Sequence, residues 1–508
     1  MRRGRAARTL DDAPSLGPSM GSFGAGGARF RPLSDQEAAA THQAALDLLS
    51  TLGLSQATAT MVDLVVSRGG RRTDDGRLLF PERLVENALD GVRRGVTLHG
   101  RGAGLDLTLS DARVQFSSGG ASPSVVDLGS GRYRDATTRD LFDAARLVDA
   151  LENIHHFSRS LVARDAPDPL TMDLNTAYAC LAGTTKHVSV SATDASHVSA
   201  LAEMCHVIAG SEEAFRRRPF MTIMVCHVVP PMRFATEACE TLEAAIRAGF
   251  PVQIISAGQA GATSPASIAG SLVQAVAETL AGVVFGWLVD PEARLIFAPK
   301  PLVADLRTGA MCGGGGEQAI LMAAAAQMGR YYDLPTSSIA GITDAKVADA
   351  QHGYEKSLAV SLAAQAGSNL ITQACGMQAS LLGASFEGYV VDNDMLGAIM
   401  RSLRGVEAVE ANFSVDVIKE VCRGEGHYLG HADTLARMKA DYIYPAIADR
   451  QSPADWERSG AEDVRSAAKR RAEAILAEHR PKPFDDEVDA ALRSRFDILL
   501  SKSDVGRG

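Results

Sequence analysis

Apolar residues follow two spacings along the chain, and their pattern changes near residue 137. Residues 30–136 combine helical spacing with short alternating segments that glycine and aspartate separate. Ser34 and Glu37 have the spacing of a capping box, and Pro81 stands where a later helix begins. The alternating segments VTLHG, LDLTL, ARVQFSS and SVVDL are typical of hairpin strands. We therefore predict an N-terminal cap of helices and hairpins over residues 30–136.

Over residues 137–432, short β-like runs alternate with helical stretches. A helix begins at Thr138, and the β-like runs that follow are HHFSRSLVA, KHVSVSA, FMTIMVCHVV, PVQIISA, RLIFAP, SSIAGIT, NLITQACG and the stretch from Val406 to Phe413. Such alternation predicts parallel strands, and eight units predict an α/β fold of the TIM (β/α)8 barrel type. A doubly wound open sheet is the alternative. Residues 433–508 have charged helical patterns, which predict a C-terminal helical extension.

Composition and charge narrow the possible functions. The 508 residues carry a formal net charge of −10, which predicts no broad basic surface for nucleic acid. Seven dispersed cysteines without a CxxC pair indicate reduced thiols in a cytoplasmic protein and argue against a structural zinc site. Residues 1–29 read as a disordered leader, with a transit peptide as the alternative. The longest apolar run, Leu280–Val289, is too short to cross a bilayer, so we predict no membrane partner.

The carboxyl ends of the strands carry the active site in barrels of this type, so the residues after each predicted strand are candidates. The densest polar junction is GITDAKVADAQHGYEK, residues 341–356. If a helix begins near Asp349, residues three apart in this stretch share a face close to the barrel mouth. The functional interpretation is a substrate site for a cationic amine. The structural alternative is a helix cap with surface pairs.

Carboxylates would attract such a cation, whereas histidine and tyrosine would orient or cover it. The predicted catalytic residues are Asp344, Glu355 and His352. Those predicted to bind substrate, from this junction and from the ends of other strands, are Gln351, Tyr354, Phe297, His227 and Asp165. For His227, a satisfied core histidine is the alternative.

The stretch GAMCGGGGEQ, residues 309–318, is rich in glycine but has neither the ending of a P-loop nor the spacing of a dinucleotide fingerprint. Glu317, at the start of the next helix, would repel phosphate. We interpret the stretch as a flexible loop at the mouth that admits a large partner, with a plain connecting turn as the alternative.

Several stretches, in order, resemble the trimethylamine:corrinoid methyltransferase (MttB) family from about residue 30 to 480. They are GSGRYRDATTRDLFDAARLVDALENI, ISAGQAGATSPASIAGSLVQAVAETLAG, TDAKVADAQHGYEKSL, and GHYLGHADTLARMKADYIYP followed by DWERSG. The resemblance implies a TIM barrel whose mouth receives a small corrinoid-binding protein. It also implies that the Co(I) centre of that corrinoid (cobalamin) accepts a methyl group from an ammonium nitrogen. The corrinoid would be carried by the partner, with no cofactor tightly bound to this chain.

The founding trimethylamine enzymes of the family carry pyrrolysine, which this sequence lacks. The chain therefore resembles the non-pyrrolysine branch, which is associated with quaternary amines such as glycine betaine, proline betaine and carnitine. A quaternary ammonium prefers aromatic faces, so Phe297, Tyr354 and Phe386 are candidate contacts. A carboxylate on the substrate would meet Lys346 or the backbone amides of residues 258–263.

The implied function is methyl transfer from a quaternary or tertiary amine to a corrinoid protein. Two other functions stay open. One is a barrel methyltransferase with a folate-type donor, against which the carboxylates of a cationic site argue. The other is a non-catalytic paralogue that binds a betaine or a corrinoid protein. We expect a methylated amine and a corrinoid protein as partners, and a homo-oligomer.

Overall fold

The computed structural model describes residues 27–506, and helices and short strands make up its N-terminal part. These elements are α1 (Asp35–Asp47), α2 (Ala59–Val66), β1 (Arg71–Arg72), β2 (Leu78–Leu79), α3 (Glu82–Gly91), β3 (Val96–Leu98), β4 (Leu107–Leu109), β5 (Gln115–Phe116), β6 (Ser124–Val126) and β7 (Tyr133–Asp135). The capping box of Ser34 and Glu37 is present, and Pro81 is the N-cap of α3. The predicted leader lies outside the described residues, except for residues 27–29.

Helices and strands alternate in the central part of the chain. Its helices are α4 (Thr138–Ala150), α5 (Pro169–Gly183), α6 (His197–Ala209), α7 (Glu212–Arg217), α8 (Thr236–Arg247), α9 (Ile268–Val289), α10 (Gly316–Tyr331), α11 (Ala350–Gln365) and α12 (Phe386–Arg404). Its strands are β8 (Phe157–Ser158), β9 (Val188–Val190), β10 (Met221–Cys226), β11 (Val252–Ser256), β12 (Gln259–Ala260), β13 (Leu295–Pro299), β14 (Leu302–Val303), β15 (Ser337–Ser338), β16 (Leu370–Ile371), β17 (Met377–Gln378) and β18 (Gly383–Ser385). Thr137 and Asp349 cap α4 and α11, so both predicted helix starts are confirmed.

The central strands are parallel and form two groups. One sheet has the order β13-β11-β10-β9-β8, and the other has the order β15-β16-β5. Single parallel bridges connect the two groups at both edges, from Phe297 to Thr336 and from Ser117 to His156. The chain therefore has a mixed α/β fold built on parallel sheets, as predicted.

Seven of the eight predicted β-like runs contain one of these strands, but the eighth prediction is wrong. The stretch 406–413 holds no strand and only a short 3-10 turn, Glu410–Asn412. The remaining place beside β16 is taken by β5, where Gln115–Phe116 pairs in parallel with Leu370–Ile371. The sequence places β5 in a cap hairpin because alternating polarity does not identify the partner strand.

The antiparallel hairpin of β3 and β4 confirms the prediction for VTLHG and LDLTL. A small apolar cluster joins this hairpin to β13 and β16. Its buried members are Val96, Leu98, Leu107, Leu109, Ile296 and Leu370. Since Ile296 and Leu370 lie near the starts of their strands, the hairpin covers the amino ends of β13 and β16. A ligand would therefore reach these strands from their carboxyl ends.

Helix α9 is the apolar centre of the helical layer. Its 22 residues are long and apolar enough to cross a membrane, but 78% of its most hydrophobic window is buried inside the fold. It packs against α1, α2, α3 and α8. A helix that is apolar on all sides and enclosed by other helices is typical of a protein core.

The C-terminal helices are α13 (Val415–Arg423), α14 (Ala432–Ala440), α15 (Pro453–Arg458), α16 (Val464–Glu478) and α17 (Asp486–Arg495). Arg146 of α4 is fully buried, and its guanidinium donates to the carbonyl oxygens of Leu476 and His479. The ring of His479 lies 2.8 Å from the carboxylate of Asp149. These contacts attach the end of α16 to α4.

Candidate functional site

The junction between β15 and α11 is organised by the buried carboxylate of Glu355. This carboxylate accepts hydrogen bonds from the Thr343 hydroxyl at 2.5 Å, the Asp344 backbone amide at 2.8 Å and the Gln351 side-chain amide at 2.8 Å. The structure thus brings together Glu355, Gln351 and Asp344, which were all predicted site residues. Glu355 and Gln351 hold the backbone that carries Asp344.

The half-buried carboxylate of Asp344 binds the glycine-rich loop. It accepts hydrogen bonds from the backbone amides of Gly313 at 2.8 Å and Gly314 at 3.2 Å, from the Cys312 thiol at 3.3 Å and from the Ser380 hydroxyl. Burial opposes ionisation, but the hydrogen bonds from Ser380, Gly313 and Gly314 lower the pKa of Asp344 below its ordinary value. Asp344 is therefore an anion at neutral pH.

The loop requires glycine because it lies directly against these side chains. A Cβ at Gly313 would stand 2.0 Å from the side chain of Ile342, and one at Gly314 would stand 2.1 Å from the carboxyl of Glu355. The amides of Gly313 and Gly314 are already bound to a carboxylate, so they do not form a phosphate cradle. The loop predicted to be flexible is thus attached to Asp344 at three points, the Cys312 thiol and the amides of Gly313 and Gly314.

His352 belongs to a separate, buried cluster. Its Nε2 lies 2.8 Å from Asp392, whose second oxygen lies 2.8 Å from the Lys356 ammonium and accepts from the Gly376 amide. The three ionisable side chains are at most 1% exposed. Burial would raise the pKa of Asp392, but the charges of Lys356 and His352 bring it below its ordinary value. This cluster links α11 to α12.

Asp165 and His227, both predicted to bind substrate, have structural partners. Asp165 accepts from the backbone amide and hydroxyl of Thr138, so it caps α4. His227 is fully buried, with ring nitrogens 3.1 and 2.8 Å from the carbonyl oxygens of Ile255 and Glu278. Burial lowers the pKa of His227 to about 4. These partners agree with the alternative of a satisfied core histidine, and the role of His227 as a substrate contact stays a prediction.

The three predicted aromatic contacts do not form a common surface. Phe297 is buried and meets the ring of Tyr332 edge-on at 5.6 Å, so it packs between β13 and α10. Phe386 is buried in the same hydrophobic core. Tyr354, by contrast, is 64% exposed. Phe297 and Phe386 thus contribute to the core, and their predicted contact with a substrate stays a prediction.

Lys300 directly follows β13 and was missed as a site residue. It is 3% exposed, and its ammonium donates to the Gln253 side-chain oxygen at 3.2 Å and to the Thr372 hydroxyl at 3.1 Å. Burial lowers the pKa of Lys300 to about 8. Because Lys300 directly follows β13, the strand-end rule that selects Phe297 also selects Lys300.

Arg159 and Cys226 also stand at strand ends, after β8 and at the end of β10. Burial raises the pKa of the Cys226 thiol, and the positive charges of Lys300 and Arg159 oppose this rise. Nevertheless, the Cys226 side chain is exposed. A thiol that is surrounded by protein and still accessible to solvent lines a recess. Arg159, Cys226 and Lys300 stand at the carboxyl ends of β8, β10 and β13, three strands of one parallel sheet.

We expect the free energy of unfolding to depend on pH through Lys300. Its pKa is about 8 in the folded protein and about 10.4 in an unfolded chain. Between these values the unfolded chain binds more protons, so stability increases with pH by at most about 1.4 kcal/mol per pH unit. Urea unfolding of the wild type and Lys300→Met from about pH 7 to about pH 9.5 would measure this. The stability of the variant relative to the wild type should fall as pH rises, and a constant difference would contradict the prediction.

A family model described as trimethylamine methyltransferase (MTTB) matches residues 1–498. The trimethylamine methyltransferase MttB of Desulfitobacterium hafniense (strain DSM 10664 / DCB-2) is 29% identical over 478 residues, covering 93% of this chain and 95% of that protein. The glycine betaine methyltransferase of Desulfitobacterium hafniense (strain Y51) is 26% identical over 467 residues, covering 92% and 96%. The crystal structure of the Methanosarcina barkeri monomethylamine methyltransferase covers 87% of this chain and 92% of its own, with 14% identity and a TM-score of 0.46. The chain therefore belongs to the trimethylamine methyltransferase family and is a methyltransferase.

Proposed function

We propose that the chain transfers a methyl group from a quaternary or tertiary amine, such as a betaine, to the Co(I) centre of a corrinoid protein. The observation that carries this proposal is the Asp344 carboxylate, which the glycine loop holds ionised beyond the carboxyl end of β15. Membership of a methyltransferase family with trimethylamine and glycine betaine enzymes among its relatives supports an amine substrate.

The proposal includes closure of the parallel strands into a TIM barrel. The two sheets contain eight strands, and the bridges Phe297–Thr336 and Ser117–His156 would join them into a ring. In a closed ring, the residues that follow the strands surround one mouth. Asp344 would then share this mouth with the recess beside Cys226.

The residues of this chain position the amine and need no covalent step of their own. The negative charge of Asp344 attracts the cationic nitrogen, and Glu355 and Gln351 keep the backbone of Asp344 in place. The corrinoid of the partner protein would supply the nucleophile that accepts the methyl group. The carbon–nitrogen bond would break with its electron pair on nitrogen, so the ammonium nitrogen of the substrate would leave as a neutral amine. The Cys226 side chain is accessible to solvent. This accessibility agrees with a recess that a partner protein can reach from outside.

The proposal predicts that the protein converts Co(I) cobalamin to methyl-Co(III) in the presence of one suitable amine. The visible spectrum would be followed with glycine betaine, proline betaine, carnitine, choline and trimethylamine in turn. A reaction without protein is the control for direct methylation. If no amine reacts, even with a cognate corrinoid protein, the proposal is wrong. Transfer from a methylated folate would then identify the donor as a folate, and betaine binding without transfer would identify a non-catalytic protein.

A further inference from the structure

We propose that Arg159 and Lys300 form an anion-binding subsite in the recess beside Cys226, and that this subsite binds the carboxylate of the methylated amine. The inference rests on the proposed function and narrows its substrate class. The substrate would be a betaine, in which one molecule carries both a quaternary ammonium and a carboxylate. Amines without a carboxylate, such as trimethylamine and choline, would not fit.

Lys300 is a buried cation with only neutral partners. Its ammonium has three donors, and two of them reach Gln253 and Thr372. Within residues 27–506, no carboxylate lies at ion-pair distance from this ammonium. Because an unpaired buried charge is costly, a cation kept in this position is well suited to receive an anion.

Arg159 has even fewer partners than Lys300. Its Nε is buried without a hydrogen bond, and across the described range its guanidinium forms no ion pair. Asp173 is the carboxylate that acts on its charge, from beyond ion-pair distance. One oxygen of Asp173 is bound by Thr193 and His197, whereas Oδ1 is buried and unpaired. Asp173 is therefore the competing partner that the experiment must exclude.

The two cations stand at the same edge of one sheet, because Arg159 follows β8 and Lys300 follows β13, which are parallel strands. A chain of hydrogen bonds joins them: Lys300 donates to Gln253, Gln253 donates to the Ser189 hydroxyl at 3.5 Å, and the Ser189 carbonyl accepts from the Arg159 backbone amide at 2.8 Å. Cys226, which is accessible to solvent, ends β10 between them. A carboxylate between them would accept a forked pair of hydrogen bonds from the guanidinium and one from the free donor of the ammonium. The exposed Lys346, which the sequence suggested for this role, instead donates to the backbone carbonyl of Asp344.

The subsite explains how the enzyme would distinguish its substrates. Two uncompensated positive charges repel a simple trimethylammonium ion but attract a zwitterion with its carboxylate foremost. Once the carboxylate of the betaine lies between Arg159 and Lys300, its quaternary nitrogen and methyl groups point away from both cations. The methyl groups then face the opening of the recess, where the corrinoid protein can reach them.

Isothermal titration calorimetry of the full chain tests the subsite without any corrinoid. The probes are glycine betaine, proline betaine and carnitine, with choline as the matched analogue of glycine betaine that lacks the carboxylate. We expect the wild type to bind one betaine about 100-fold more tightly than choline. Lys300→Met and Arg159→Gln should each weaken binding of that betaine by at least about 30-fold and should not weaken binding of choline.

Two control variants each remove one positive charge, as Arg159→Gln and Lys300→Met do. Arg164→Gln removes an arginine near the same strand end, where it is exposed and pairs with Asp135 at 3.7 Å. Lys346→Met removes the lysine suggested by the sequence. Both should keep wild-type betaine affinity. Because Lys300→Met removes a buried unpaired charge, its melting temperature should equal or exceed that of the wild type, which shows that the variant is folded.

Several results would overturn the subsite: equal affinity for choline and betaines, no betaine binding, or wild-type betaine affinity in both cation variants. If Arg159→Gln lowers the melting temperature but leaves betaine affinity unchanged, Arg159 serves Asp173 instead. Betaine binding that depends on the cations, without methyl transfer to Co(I), would reject the proposed function and keep the subsite. Methyl transfer from trimethylamine or choline would do the reverse.

Discussion

Replacing Asp344 with asparagine should lower kcat/KM for methyl transfer by about 100-fold while the protein stays folded. The carboxylate accepts hydrogen bonds from the amides of Gly313 and Gly314 and from the hydroxyl of Ser380. Asparagine keeps one acceptor and places a donor against the others, so the glycine loop would move. The negative charge that attracts the amine would also be lost. Steady-state transfer to Co(I) cobalamin with the preferred amine measures the effect.

Hydrogen exchange distinguishes a positioning role of Asp344 from a general loss of structure. In the variant, a peptide covering residues 309–318 should lose the protection of the Gly313 and Gly314 amides, while other core peptides keep theirs. Asp305→Asn is the matched control, because among the residues that the structure describes the side chain of Asp305 bonds only to Arg307. If Asp344→Asn transfers methyl groups at the wild-type rate, Asp344 has no part in the reaction.

The substitution Asp392→Asn should reduce the free energy of unfolding by about 3–5 kcal/mol. Asp392 is fully buried between Lys356 and His352, and it also accepts from the Gly376 amide. An amide in its place leaves the Lys356 ammonium charged, buried and unpaired. Urea unfolding at neutral pH would measure the loss through the shift in midpoint at constant slope.

A second substitution identifies the buried charge as the cause. Lys356→Met added to Asp392→Asn should recover part of the lost stability, because no unpaired charge remains in the core. Asp416→Asn is the surface control, since Asp416 and Lys419 form an exposed ion pair that contributes at most about 1 kcal/mol. A loss below this surface value for Asp392→Asn, or a double variant no more stable than the single one, would contradict the argument.

Local signals in the sequence predicted the helix starts and most of the parallel strands. The caps at Ser34, Thr137 and Asp349 depend on side chains within three residues of the backbone amides they bind, so short segments contain the whole signal. The strand β5 was misplaced for the opposite reason. Gln115–Phe116 pairs with a strand about 250 residues later, and no local pattern encodes that distance.

The sequence predicted where the candidate site residues lie along the chain, but it did not predict which groups they contact. The strand-end rule located Asp344, and helical spacing placed Glu355 and His352 on one face of α11. Only the folded chain shows that Glu355 turns to the Asp344 backbone while His352 turns to Asp392. Partners that lie in distant segments decide what each polar side chain does.

The sequence by itself determined the family, the mixed α/β fold, the helix starts and the junction that carries Asp344, because motifs, periodicity and caps are properties of neighbouring residues. The tertiary structure alone decided which strand completes the parallel set, which polar residues are core, and that Arg159 and Lys300 stand at one edge of the same sheet. The physical reason is that burial and charge compensation depend on atoms brought together from remote parts of the chain. A buried cation without a partner is visible only after every possible partner has been placed.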